Sequence, residues 1–116
     1  MVKECIFCRI ADGDIPNRRI YENDNFFSIL DQNQDIKGHT LVISKKHFEV
    51  IFDLPSSLGQ ELLDCIKKTS MKIIEEYNAE GINVLQNNFE VAGQVVKHFH
   101  AHVIPRKKGD RIKVLG

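Results

Sequence analysis

From Ser56 to Asn78, the side chains Leu58, Leu62, Cys65, Ile66, Thr69, Ile73 and Tyr77 recur every three or four positions, with charged residues between them. That period puts them on one face of an α-helix. It predicts one long amphipathic helix, with Ser56 or Ser57 capping the first turn and the stretch Asn78 to Gly81 ending it. Elsewhere the apolar runs are short and bounded by turn residues, which predicts strands at Arg19 to Tyr21, Phe26 to Leu30, His39 to Lys45, Ile82 to Asn87 and His98 to Pro105. The turn Glu22-Asn23-Asp24 makes a hairpin of the first two, Gly38 precedes the third, and a loop containing Gly93 joins the last two. A short helix is expected around Phe7 to Ala11. Strands joined by short turns, with one long helix to cover them, imply an α+β fold: an antiparallel sheet with the helix packed on it. Residues 1–116 read as a single domain.

The charge balance narrows the function. Lys plus Arg and Asp plus Glu number 16 each, so no global field draws the chain to nucleic acid, and an anionic ligand must be held locally. A chain of 116 residues, 42% hydrophobic and 28% charged, can bury a core without disulfides. No apolar run approaches the roughly 18 residues of a membrane helix. The opening MVKECIFCRIADGD has neither a long apolar stretch nor a small-residue cleavage site. A cytoplasmic protein that binds neither membrane nor nucleic acid is expected.

The chemistry gathers in VVKHFHAHVIPRKKGD, Val95 to Asp110. Residues two apart in a strand share a face, so the predicted strand turns His98, His100 and His102 one way and Phe99, Ala101 and Val103 the other. A merely polar strand face is ordinarily built from Thr, Lys, Glu or Gln, and histidine is too rare for three in register to be unremarked background. Two chemistries stay open on spacing alone. The imidazoles can ligate one catalytic metal with an open position for water. Alternatively, one imidazole is a nucleophile toward phosphorus while its neighbours donate to phosphate oxygens.

GQVVKHFHAHVIPRKKGD resembles the histidine-triad (HIT) motif, His-x-His-x-His followed by apolar residues, with Gly93-Gln94 before it and Pro105-Arg106 after it. CIFCRIADGDIP, YENDNFFSILD, GHTLVISKKH and INVLQNN follow the family's order, so the resemblance runs from Cys5 to Asp110. It implies a HIT-like fold, a five-stranded antiparallel sheet with one long helix and a short N-terminal helix, dimerising into one ten-stranded sheet. It also implies an activity. His100 would attack the α-phosphorus of a nucleoside phosphoramidate or dinucleoside polyphosphate, giving a nucleotidyl-histidine that water hydrolyses. The His98 carbonyl would orient His100, and His102 would assist the leaving group. Gln94 and Asn87 match positions that contact the phosphates, and Asp31 matches the ribose-binding position. The base, with purine nucleotides such as AMP or GMP, or adenosine, as the implied ligands, would lie among Ile6, Phe7, Ile10, Ile15 and Ile29. His39 matches a position that is mostly structural.

Three features qualify the resemblance. Val95 stands where some branches have Ser or Thr, Ser44 where members usually have Pro, and the chain stops at Gly116, where longer relatives extend a segment toward the partner's site. Cys5 and Cys8 form a CxxC, which can be a reduced pair, a redox pair or two of the four ligands of a zinc ion. In HIT proteins with this CxxC the remaining ligands correspond to His47 and His98, which implies a structural Zn2+ on Cys5, Cys8, His47 and His98. Cys65 falls on the long helix's apolar face and reads as core. The functions to be separated are a nucleotidyl hydrolase or transferase, a nucleotide-binding sensor or interaction module with little turnover, and a zinc enzyme using all three alternating histidines.

Overall fold

Alternate side chains of two adjacent hydrophobic strands, Phe26–Leu30 (β2) and Thr40–Ser44 (β3), feed two separate cores, one on each face of the sheet. The structure, a computed structural model, describes residues 4–114. Met1 to Lys3 and Leu115 to Gly116, the two ends of the expected domain and the site of its start and stop, lie outside the described residues. With Tyr21–Glu22 (β1), Gly81–Leu85 (β4) and His100–Arg106 (β5), β2 and β3 form a five-stranded sheet of order β1-β2-β3-β5-β4, antiparallel throughout.

On one face, Phe27, Ile29, Leu41 and Ile43 meet Phe7, Cys8 and Ile10 of the short helix Ile6–Ala11 (α1). On the other, Phe26, Val42, Phe99, Ala101 and Val103 meet the long helix Gly59–Tyr77 (α2) through Cys65, with Leu62 and Ile66 packed around it. Phe26, Phe27 and Phe99 are almost completely buried. Each such ring contributes about 1.5–3 kcal/mol relative to an exposed one, more than any single cap or surface ion pair. The buried hydroxyls of Ser28 and Thr69 bond each other at 2.7 Å across the sheet–helix interface, so neither is left unsatisfied.

A six-residue helix is too short to persist alone. α1 is held at both ends. The Cys5 sulfur accepts from the Cys8 amide at 3.4 Å, and the Arg19 guanidinium donates to the Ile10 and Ala11 carbonyls while lying 4.2 Å over the Phe27 ring. α1 is thereby fixed over the sheet face that carries the histidines.

Several expected boundaries shift. The histidine strand begins at His100, not His98, because the chain from Val96 to His98 bends and the His98 amide bonds the Val96 carbonyl. α2 begins at Gly59 after a 3₁₀ turn, Ser56–Leu58, and neither serine caps it: the capping position is Leu58, with no side-chain bond. The first strand is Tyr21–Glu22 rather than Arg19 to Tyr21, since Arg19 is engaged with α1. The fourth ends at Leu85, which leaves Asn87 in the following loop. α2 ends as expected, at Asn78, whose φ of 52° is a left-handed conformation that asparagine tolerates.

Candidate functional site

The register of β5 against β3 pairs His100 with Ile43 and His102 with Leu41, so both imidazoles project from the face covered by α1. His98 precedes the strand, yet its ring lies on the same side. The Phe7 ring meets both His98 and His100 edge-on, at centroid distances of 5.8 and 5.0 Å. The His98 carbonyl accepts from Nδ1 of His100 at 2.7 Å. That bond places the proton on Nδ1 and leaves the Nε2 lone pair of His100 available for attack. Burial, the largest cause, lowers the His100 pKa below its usual 6.5, against the opposing pull of the His98 carbonyl and the Asp31 charge. The ring is therefore neutral and nucleophilic near pH 7.

The His98 side chain serves a second centre. Its Nδ1 lies 3.2 Å from the Cys5 sulfur, 3.4 Å from the Cys8 sulfur and 3.2 Å from Nδ1 of His47, while Cys8 Sγ lies 3.3 Å from His47 Nδ1. Around a tetrahedral zinc with bonds of about 2.3 Å to sulfur and about 2.05 Å to nitrogen, donors sit about 3.3–3.8 Å apart, the two sulfurs farthest. The four donor atoms all lie within 4.8 Å of one another, and the contacts to the two imidazoles are near those spacings, so this group fits a closed Cys2His2 metal site. Nε2 of His98 donates to the Ser44 carbonyl at 2.7 Å, which leaves Nδ1 unprotonated and aimed at the cluster. Burial pushes the His98 pKa down to about 4 and keeps the ring neutral, as a ligand must be.

A third group links His102 to residues that the sequence did not connect with it. Nδ1 of His102 lies 2.9 Å from Nε2 of His39, and Nδ1 of His39 lies 3.4 Å from the Asp31 carboxylate. With Asp31 as acceptor, Nδ1 of His39 carries its proton, Nε2 accepts from Nδ1–H of His102, and Nε2 of His102 faces outward unprotonated. Burial first, then like-charge repulsion from His100 and His39, pushes the His102 pKa down to about 4. Positive charge taken up by this pair is better placed on His39, beside the carboxylate.

His100 and His102 open into a cleft of about 1040 Å³. All five apolar residues expected around a base, Ile6, Phe7, Ile10, Ile15 and Ile29, line it, as does Asp31. Leu41, Val95 and Val96 also line it and were not expected there. Two other expectations are placed differently. Gln94 is buried, with its amide oxygen accepting from the Phe89 amide and its amide nitrogen donating to the Glu49 carbonyl; it anchors a loop and does not line the cleft. Asn87 reaches the Gly93 carbonyl at 3.5 Å and is also absent from the lining. His39, which matches a mostly structural position, is in contact with His102. Only the pairing of β3 with β5 brings the two rings together, across 63 positions of sequence.

An antiparallel α+β domain with a buried, neutral imidazole beside a Cys2His2 cluster defines a narrow class. The comparisons with known proteins specify it further. The HIT domain model matches residues 12–109, and the chain belongs to the HIT family. A crystal structure of a HIT family member from Bacillus subtilis superposes with a TM-score of 0.89 at 41% identity, over 98% of this chain and 82% of that one. The adenosine 5′-monophosphoramidase of Candida albicans is 39% identical over 107 residues, 89% of this chain and 70% of its own length. A zinc-bound histidine triad family protein from Mycobacterium smegmatis superposes with a TM-score of 0.79 at 38% identity, over 95% of this chain and 80% of that one. Among the described residues, no helix is long and apolar enough to cross a membrane.

Proposed function

We propose that this chain is a nucleotide hydrolase or nucleotidyl transferase that cleaves nucleoside phosphoramidates or dinucleoside polyphosphates at the α-phosphate. The observation that carries the reading is the 2.7 Å bond from His100 Nδ1 to the His98 carbonyl, which aims a neutral Nε2 lone pair into the cleft. That nitrogen forms the bond to phosphorus, and the bond from phosphorus to the leaving nitrogen or oxygen breaks. Nε2 of His102, unprotonated at rest, takes a proton from solvent as the substrate binds and passes it to the leaving group. In the second step water attacks, its proton goes to His102, and the bond from phosphorus to His100 breaks to release the nucleoside monophosphate. The pairing of His102 with His39 and Asp31 lets the transient positive charge rest beside a carboxylate.

The base is held among Ile6, Phe7, Ile10, Ile15 and Ile29, and Asp31 also serves the ribose hydroxyls. A purine monophosphate is the proposed product, in keeping with the name of the Candida albicans relative. Zinc bound by Cys5, Cys8, His47 and His98 supplies structural cross-linking and takes no part in the chemical steps. The proposed working unit is a cytoplasmic homodimer, supported by the position of β4 at an edge of the sheet, where a second copy can extend it.

The test is turnover of AMP-phosphoramidate and diadenosine polyphosphates by His100→Ala. Its abolition, with the fold and the bound zinc retained, is expected; unaffected turnover would sink the assignment. A second reading, a nucleotide-binding module with little turnover, is favoured by one observation: the Gln94 amide is buried, bonded to backbone at both ends and outside the lining of the cleft. Nucleotide affinity without turnover across the substrate panel would select it.

A further inference from the structure

His98 belongs to both centres at once. Its imidazole is one of four donors clustered with Cys5, Cys8 and His47, and its carbonyl is the acceptor that orients His100. Phe7 provides a second connection. It lies on α1, between a capping residue, Cys5, and the next donor, Cys8, and its ring touches both His98 and His100. His98 does not belong to the β5 ladder, so the ladder does not fix its carbonyl. Its position depends on the bonds around it: the Phe99 amide, in the same peptide plane as that carbonyl, to the carbonyl of Phe48 beside the donor His47, the His98 amide to the Val96 carbonyl, Nε2 to the Ser44 carbonyl, and Nδ1 to the donor cluster. Ser44 supports the same arrangement from below, since its hydroxyl donates at 2.8 Å to the Lys46 carbonyl, immediately before His47.

We infer that metal occupancy of the Cys5–Cys8–His47–His98 group sets the orientation of the His100 nucleophile through the backbone of His98, so that the metal group controls nucleotidyl transfer as well as holding the fold. The inference rests on the proposed reaction for its consequence, but not for its geometry. With a metal in place, one of its four bonds, to Nδ1, would join the Nε2 bond to Ser44 in fixing the His98 ring, and the adjoining carbonyl stays directed at His100 Nδ1. With the metal gone, two thiols and two imidazoles in contact lose their common partner and must rearrange, and the carbonyl moves with them. Cys5, Cys8 and His47 are then positioning residues for a reaction they do not touch.

The experiment compares zinc-loaded protein with the same protein stripped by a chelator, near neutral pH and without nucleotide, by long-range ¹H–¹⁵N NMR of the imidazoles. In the loaded form His100 is expected as a single tautomer with the proton on Nδ1; in the stripped form its two nitrogens average. The single-turnover rate of nucleotidyl-histidine formation should fall about tenfold or more on stripping, the scale seen when outer-shell contacts of a site are lost. Binding of AMP should change far less, and restored zinc should recover both signals. If stripping unfolds the chain by circular dichroism, His47→Gln, which keeps three donors, is compared in the same way. Identical His100 signals and equal rates in the folded forms overturn the inference, as does a protein that takes up no zinc. Failure to form the adduct in either form would instead refute the proposed reaction, while the NMR comparison still decides the coupling.

Discussion

The carbonyl oxygen of His98 lies 2.7 Å from Nδ1 of His100, and this one contact decides which nitrogen of that imidazole is bare. The acceptor is backbone, so a substitution at His98 does not remove it but acts on it through the ring contacts that position it. It can be displaced only by moving the irregular segment that precedes β5.

The same burial that keeps His100 neutral predicts the pH dependence. Its pKa is lowered from 6.5, and the proposed reaction uses the unprotonated ring, so the acid limb of kcat/KM should have its midpoint below pH 6.5. A midpoint at or above 6.5 would show that another group governs the limb. Stability should follow the same sign. His98, His100 and His102 all take up a proton more readily unfolded than folded, so the fold is weakened as pH falls from 6.5 toward 4. Denaturant midpoints measured across that range check it.

Asp31→Asn separates the two roles given to that carboxylate. Its charge raises the pKa of both His100 and His102, so the variant's acid limb should move to still lower pH. Loss of the carboxylate behind the His39–His102 pair should lower kcat roughly hundredfold, the low end of what acid–base groups contribute. Loss of a ribose contact should raise KM. A change in KM alone would leave Asp31 as a ribose ligand without influence on His102.

Zinc should be present at one ion per chain and should survive His100→Ala but not Cys8→Ser, because His100 is outside the four-donor group and Cys8 within it. Elemental analysis of the purified variants reads this directly. Zinc retained by Cys8→Ser and lost from His100→Ala would point instead to a catalytic ion on the alternating histidines.

Gly38 is predicted to resist substitution. It has φ +90°, and a Cβ there would stand 2.9 Å from the Tyr77 ring at the end of α2 and 3.1 Å from Pro105. Gly38→Ala should cost about 1–3 kcal/mol from backbone strain, with the crowding in addition. A lowered denaturant midpoint with an unchanged m-value is the expected signature. The bend at Gly38 leads into His39, so KM and kcat of this variant also report how tightly the His39–His102 contact depends on it.

Much of the frame was legible because it is written in local periodicity. The stripe from Leu58 to Tyr77 marks α2, and the runs Phe26 to Leu30 and Thr40 to Ser44 mark two strands, within a residue or two. The CxxC and the alternating histidines announced chemistry through residue type. What local pattern obscured was where a regular element stops. His98 shares the alternation of His100 and His102 but bends out of the ladder, and Ser56 and Ser57 look like caps for a helix that begins after them. The amides of Gln94 and Asn87 have the right chemistry for phosphate, yet the loop around Gly93 needs them for its own backbone, a demand invisible in one dimension.

By itself, the sequence determined the fold class, the faces of its main elements, and a set of imidazoles and thiols whose chemistry is nucleophilic or metal-binding. Those follow from side-chain type and spacing, which are local properties. Only the tertiary structure divided the histidines among their tasks. β5, the last strand in sequence, inserts between β3 and β4, and this alone sets His102 against His39 and brings His98 to Cys5, 93 positions away. Contacts of that separation depend on strand order and on closing long loops, which no short window of sequence encodes.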